Sequence, residues 1–261
     1  MNRIDFKFTK LKEKEEKALI PFITAGDPNL DTTIDIVLAM EEAGADIIEL
    51  GIPYSDPLAD GVTIQASSNR ALKNGAKIVK IMDTVKRIRE KTQIPLVYLV
   101  YYNSIFKYGM EKFIKESSDS GIDGIIIPDL PIEERKDIIG IGEKYDINII
   151  PLVAPTSKDR IKNIVKDARG FVYCVSVNGV TGTRNDISTN VEEYMSVISE
   201  YTNLPKALGF GISSPEMAAG FKSYCEGIIV GSGIIKKIEN GKSKEDIISN
   251  VRKFIRELKM A

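Results

Sequence analysis

The chain has 261 residues, a length that one large domain or two small ones can fill, and 43% of them are hydrophobic, enough for a full core. Basic and acidic residues number 36 and 37, for a net charge of −1, so no strong field exists to attract nucleic acid or an anionic membrane. Histidine is absent, which excludes a Ser-His-Asp triad, a Cys-His pair and any histidine-ligated zinc, and leaves acid–base work to Asp, Glu, Tyr, Lys or Cys. No metal site is expected.

In chain order, the charged segment 3–15 interleaves Ile4, Phe6, Phe8 and Leu11 and predicts an extra amphipathic helix. An apolar run over 18–23 predicts the first strand, followed by a helix over 31–42. A second strand over 46–50 opens into a loop locked by Pro53 and Pro57, and a short extra helix follows over 63–73. Further strands are expected over 95–101, 124–127, 148–153, 170–175, 205–208 and 226–230. The helices between and after them are expected over 78–90, 110–119, 132–144, 158–166, 191–201, 215–221 and 247–259. Ser214-Pro215-Glu216 places a cap residue before a Pro at the first helical position.

Strict alternation of strand and helix argues for a parallel sheet, and eight units close a (β/α)8 TIM barrel with the 3–15 helix covering its bottom. No linker or compositional break divides the chain, so 1–261 reads as one domain. A doubly wound sheet is the alternative, but the first turn, Thr24-Ala25-Gly26-Asp27-Pro28, lacks the GxGxxG spacing. No window approaches the ~18 apolar residues of a membrane span, and the first residues show no apolar signal core. Cys174 and Cys225 lie in apolar runs and read as reduced, buried thiols of a cytoplasmic protein.

In such a barrel the chemistry sits where the strands end. Glu49 stands at the end of the second apolar run, and Ser55, Asp56 and Asp60 follow on the Pro-bounded loop. A carboxylate in an apolar strand is costly unless paired, protonated or used. The last three strand ends are glycine-rich: Gly179/Gly182, Gly209/Gly211 and Gly231/Gly233. Glycine lets backbone N–H groups approach an anion, and a helix starting at Ser232 adds its dipole, which predicts a phosphate cup in these loops. Phe22, Leu99, Tyr101, Ile126 and Phe210 offer an apolar rim. Together these suggest a flat aryl substrate with a phosphorylated tail. The loop over 176–190, with Asn178-Gly179-Val180-Thr181-Gly182-Thr183, is long enough to serve as a lid.

The residues that carry this reading also carry a resemblance. Pro21 to Pro28, Glu49 to Gln65, Pro128-Asp129-Leu130-Pro131, Gly179-Val180-Thr181-Gly182, Gly209-Phe210-Gly211-Ile212 and Val230-Gly231-Ser232 resemble the α subunit of tryptophan synthase, over essentially the whole chain. The resemblance implies cleavage of indole-3-glycerol phosphate to indole and glyceraldehyde 3-phosphate. It implies an α2β2 complex whose β subunit holds pyridoxal phosphate, with no cofactor in this chain. It implies Glu49 as the proton-transferring carboxylate, Asp60 facing the indole N–H, Tyr173 at the active-site tyrosine, and the phosphate at backbone groups near Gly182, Gly211, Gly231 and Ser232. Ser176-Val177-Asn178 and Thr183-Arg184-Asn185-Asp186 depart from versions of the family, which touches the lid and its coupling, where Thr181 is the expected bond to Asp60. Two rival readings exist. An indole-glycerol-phosphate synthase needs a lysine on a barrel strand, and Lys206 lies at the start of its strand. A silent regulatory barrel has no need of both Glu49 and Asp60.

Overall fold

The computed structural model describes residues 1–130, 132–175, 184–209 and 211–261, without the side chains of 132, 158, 159 and 184–190. Its centre is a parallel sheet of nine segments: β1 (Ala18–Thr24), β2 (Ile48–Gly51), β3 (Leu96–Leu99), β4 (Gly124–Ile126), β5 (Asn148–Ile150), β6 (Leu152–Val153), β7 (Val172–Val175), β8 (Lys206–Gly209) and β9 (Gly227–Val230). Their order is β5-β4-β3-β2-β1-β9-β8-β7-β6. The two ends of that series are consecutive in the chain, so the sheet closes into a barrel of eight strand positions. The predicted strand over 148–153 is present but split at Pro151, which has no N–H for the ladder. Its carbonyl still accepts the Tyr173 N–H at 2.9 Å, joining the two edges.

The outer layer consists of α1 (Arg3–Glu13), α2 (Leu30–Glu42), α3 (Val62–Lys73), α4 (Ile78–Arg89), α5 (Tyr102–Tyr108), α6 (Met110–Ser120), α7 (Arg135–Lys144), α8 (Ile161–Val165), α9 (Arg184–Ser199), α10 (Pro215–Phe221), α11 (Ser232–Glu239) and α12 (Lys244–Met260). Apolar residues at helical spacing bind each to the barrel: Ile81, Met82, Val85 and Ile88 of α4 are buried. Deleting one such side chain, as in Ile88→Ala, typically costs ~2–5 kcal/mol. The Ser214 hydroxyl accepts the Met217 N–H and starts α10 beside Pro215, as its sequence predicts.

α1 covers the N-terminal end of the barrel. Asn2 Nδ2 donates to the carbonyls of Asp123 and Asp146, both at 2.9 Å, just before β4 and β5. Ile4 is fully buried, and a Cβ placed on Gly124 would lie 2.9 Å from its Cδ1. Phe6, on the other face, is exposed.

Several boundaries differ from the sequence reading. The second strand starts at Ile48, because the Asp46 side chain accepts the Leu19 N–H at 2.9 Å and pairs with Lys259. The strand runs on to Gly51, which pairs with Thr24 and Leu99, so Glu49 is inside β2, not at its end. The exit of β3 turns at once into α5, a helix the residue pattern does not announce. Its cap comes from another loop, with Asp129 Oδ1 accepting the Tyr102 N–H at 2.8 Å. The helices expected over 132–144 and 158–166 each open with a 3-10 turn, Ile132–Glu134 and Pro155–Arg160, and the helix expected over 191–201 begins already at Arg184, so residues 184–190 belong to α9 and not to the loop expected over 176–190.

Candidate active site

The C-terminal mouth of the barrel holds a pocket lined by Phe22, Glu49, Asp60, Gly61, Ile64, Leu99, Tyr173, Gly211, Ile212, Ile229, Gly231 and Ser232. Register explains the convergence. Phe22 of β1 pairs with Glu49 of β2, and Gly51 pairs with Leu99 of β3. Side chains alternate along a strand, so Glu49 and Gly51 share the inward face. Gly51 leaves that face empty for the Phe22 ring: a Cβ there would lie 2.6 Å from Phe22 Cζ. Gly209 does the same for Tyr173, whose hydroxyl would lie 2.6 Å from a Cβ on that glycine.

Glu49 is 1% exposed, and among the described residues neither of its carboxyl oxygens has a hydrogen-bond partner. Burial, reinforced by the nearby charge of Asp60, pushes its pKa from 4.5 up to about 8. At neutral pH this carboxyl is therefore mostly a neutral acid with a proton to give. Asp60 is less deeply placed. Burial raises its pKa too, opposed by a hydrogen bond from the Tyr101 hydroxyl. Tyr173 is held as a neutral phenol, first by burial and then by the charges of Glu49 and Asp60. Two carboxyls in unlike surroundings can hold unlike protonation states, which acid–base chemistry at neutral pH requires.

The acidic loop after β2 is braced from below. Tyr54 stacks on Tyr101 with ring centroids 5.0 Å apart. The Tyr101 hydroxyl accepts the Ala59 N–H at 3.0 Å, and Gln65 Nε2 donates to the Asp60 carbonyl at 2.7 Å. Asn103 Nδ2 reaches the Tyr54 hydroxyl at 2.9 Å.

Opposite this loop, α11 begins with Gly231 as its cap and Ser232 as its first residue. The Gly231 carbonyl already accepts the N–H groups of Ile234 and Ile235. The N–H groups before them have no acceptor within the helix and carry the positive end of its dipole. Gly211 adopts φ 86°, a left-handed conformation that a side chain strongly disfavours. Gly233 serves packing instead. A Cβ there would lie 2.8 Å from the Ser213 carbonyl and 3.0 Å from the Phe254 ring, so it seats α11 on α12.

Of the residues singled out in the sequence, Phe22, Glu49, Asp60, Leu99, Tyr173, Gly211, Gly231 and Ser232 meet in this pocket. Tyr101 and Ile126 are not among its lining. Tyr101 is a buttress behind Asp60, and Ile126 is fully buried one strand beyond Leu99, its register partner. Thr181, Gly182 and Phe210, with the lid over 176–183, lie outside the described residues. Gly61, Ile64, Ile212 and Ile229 line the pocket without having been singled out. Ile64 was findable, standing one helical turn after Asp60. Among the described residues no group of three or more His, Cys, Asp or Glu side chains is arranged to hold a metal ion.

Comparison with known proteins shows the family. The family profile described as Tryptophan synthase alpha chain matches residues 8–261. The chain belongs to that family. It is 65% identical to the tryptophan synthase alpha chain of Thermoanaerobacter sp. (strain X514) over 259 residues, 99% of each chain. It is 62% identical to that of Caldanaerobacter subterraneus subsp. tengcongensis, again over 99% of each. Among solved structures it resembles tryptophan synthase subunit alpha from Legionella pneumophila str. Paris, with a TM-score of 0.91, 32% identity and coverage of 100% and 98% of the two chains. An aminoacrylate-bound tryptophan synthase from M. tuberculosis matches with a TM-score of 0.87 at 28% identity, over 99% and 98% of the two chains. The chain is thus a lyase of tryptophan biosynthesis built as a TIM barrel.

Proposed function

We propose that this pocket cleaves indole-3-glycerol phosphate to indole and glyceraldehyde 3-phosphate. The observation that carries the reading is the buried carboxyl of Glu49, without a hydrogen-bond partner among the described residues, in an apolar wall with Asp60 beside it and a helix N-terminus opposite. The helix start of α11 and the Gly211 turn take the phosphate. Phe22, Leu99, Ile64 and Ile229 enclose the ring system.

Protonated Glu49 gives its proton to carbon 3 of the indole, which places positive charge on the ring. Asp60, facing the ring N–H, stabilises that charge. The carboxylate left on Glu49 accepts the proton of the side-chain hydroxyl nearest the scissile bond. The carbon–carbon bond breaks, its electrons return to the ring, and the hydroxyl-bearing carbon becomes the aldehyde. Glu49 ends protonated as it began, so one group serves as acid and then as base. Tyr173 stays neutral beside it.

Exposed apolar side chains surround the mouth: Leu58 on the acidic loop at 90% exposure, Val62 at the start of α3 and Phe106 on α5. They offer a docking face for a β subunit in an α2β2 complex, with pyridoxal phosphate held in that partner. The segment 176–183, with Thr181 meeting Asp60 on closure, is the proposed link between docking and turnover. Among the described residues no helix is long and apolar enough to cross a membrane, and both thiols are free and buried. These features fit a single-domain cytoplasmic enzyme. Indole release from indole-3-glycerol phosphate, measured with and without a β subunit, tests the reading. No indole in either condition overturns it.

A further inference from the structure

The proposed chemistry does not use the ionic cluster around Asp27. Asp27, at the exit of β1, is 1% exposed. Arg70 of α3 grips both of its oxygens, Nε to Oδ1 at 2.9 Å and Nη2 to Oδ2 at 2.7 Å. The Ser67 hydroxyl, also on α3, donates to Oδ2. The remaining arm of the guanidinium, Nη1, reaches Glu239 Oε1 at 2.9 Å. Glu239 is the last residue of α11. One side chain therefore joins the exit of β1, α3 and α11.

Those two helices both begin at the pocket. α3 starts at Val62, two residues after Asp60, and α11 starts at Ser232 in the phosphate cup. At ~1.5 Å per residue the clamp sits roughly 10–12 Å along each helix from its start. Neither helix can tilt or slide against the other without breaking a planar fork that holds two carboxylates at once. A lysine, one point charge on a flexible stem, cannot reproduce that geometry.

We propose that Arg70 is a positioning residue that sets the distance between Asp60 and the phosphate-binding start of α11, and so gauges the length of substrate that spans them. This rests on the reading of the pocket given above. Each half of the site has its own supports. Tyr101 and Gln65 hold the Asp60 loop without Arg70, and Gly231 and Ser232 belong to α11 itself. What the clamp adds is the spacing, which only a ligand touching both halves senses.

Arg70→Lys and Glu239→Gln test this against wild type. Glu239 is about half exposed, so its variant leaves the buried Asp27 pair and the fold in place. Calorimetry compares indole, glycerol phosphate and an indole alkyl phosphate that joins the two, and steady-state kinetics follow indole-3-glycerol phosphate. The fragments should bind as in wild type. The joined ligand should weaken about tenfold in Arg70→Lys and a few-fold in Glu239→Gln, with kcat falling as KM rises. Across indole alkyl phosphates of increasing chain length, the sharp wild-type preference for one length should flatten. Equal losses for all three ligands mean general loosening and overturn the proposal, as does an unchanged length preference. Should Arg70→Lys fail to fold, Glu239→Gln decides alone, by the same length preference. Absence of cleavage by wild type overturns the lyase reading, and the binding series then judges the clamp by itself.

Discussion

Replacing Glu49 with Gln should stabilise the fold while it removes the activity. In the native barrel, burial and the charge of Asp60 lift this carboxyl from 4.5 to about 8. The unfolded chain keeps the ordinary value. Between those two pH values the native state holds a proton that the unfolded state has released. Stability from this group is therefore complete below the unfolded pKa and is lost as pH rises through the folded one. Each pH unit in that window corresponds to ~1.4 kcal/mol. At pH 7, two and a half units above 4.5, wild type has lost about 3 kcal/mol, and above pH 8 the loss approaches about 5 kcal/mol. Gln matches the neutral acid in shape and does not titrate, so the variant is spared that loss. Urea denaturation of both proteins at several pH values from about 5 to 8 measures it. The variant's advantage should be small at the acid end and grow by ~1.4 kcal/mol per unit, with m-values unchanged. A variant no more stable than wild type near pH 8, or an advantage independent of pH, would refute the buried neutral carboxyl. The same variant should lose ~100-fold or more in turnover. Wild-type turnover should decline as pH rises through about 8, where Glu49 no longer starts protonated.

Asp60→Asn is expected to reduce kcat strongly with little change in the affinity for a substrate analogue, since its charge acts on the cationic ring of the transition state; a loss confined to binding would assign it to ground-state recognition. Gly211→Val forces a side chain onto φ 86° and should weaken glyceraldehyde phosphate far more than indole in calorimetry, whereas equal losses would move the phosphate elsewhere. Tyr101→Phe removes the hydroxyl that accepts the Ala59 N–H and bonds Asp60. It should cost about 1 kcal/mol of stability and lower kcat, and a variant with wild-type kinetics would show that the loop is held without it. Leu58→Asp should leave the basal lyase rate unchanged and reduce stimulation in a β-subunit titration, because Leu58 is exposed on the face proposed for docking; undiminished stimulation would place the interface elsewhere.

The alternation of strand and helix, and several of the residues that meet in the pocket, were legible along the chain because each rests on local signals. Apolar runs of strand length, helical spacing such as Ile81–Val85–Ile88, and the Ser214-Pro215 start act within a few residues of themselves. The Pro-bounded segment from Glu49 to Asp60 and the glycines near Ser232 likewise mark chemistry without any tertiary knowledge. What only the folded barrel decides is the relation between distant segments. Asp129 caps α5 from a different loop, so no pattern in residues 102–108 announces that helix. The pairing of Gly51 with Thr24 of β1 and Leu99 of β3 extends β2 past Glu49 and places it inside the strand, not at an end that meets water. The charge state of Glu49 is a property of that burial and of Asp60's approach, neither of which is encoded at position 49. Tyr101 is apolar in its ring and polar at its tip, so sequence alone could not separate a pocket wall from a buttress. Closure of the sheet places it behind Asp60. A linear reading supplies residue types and local propensities. Solvation, hydrogen-bond partners and charge–charge distance exist only once strands far apart in the chain lie side by side.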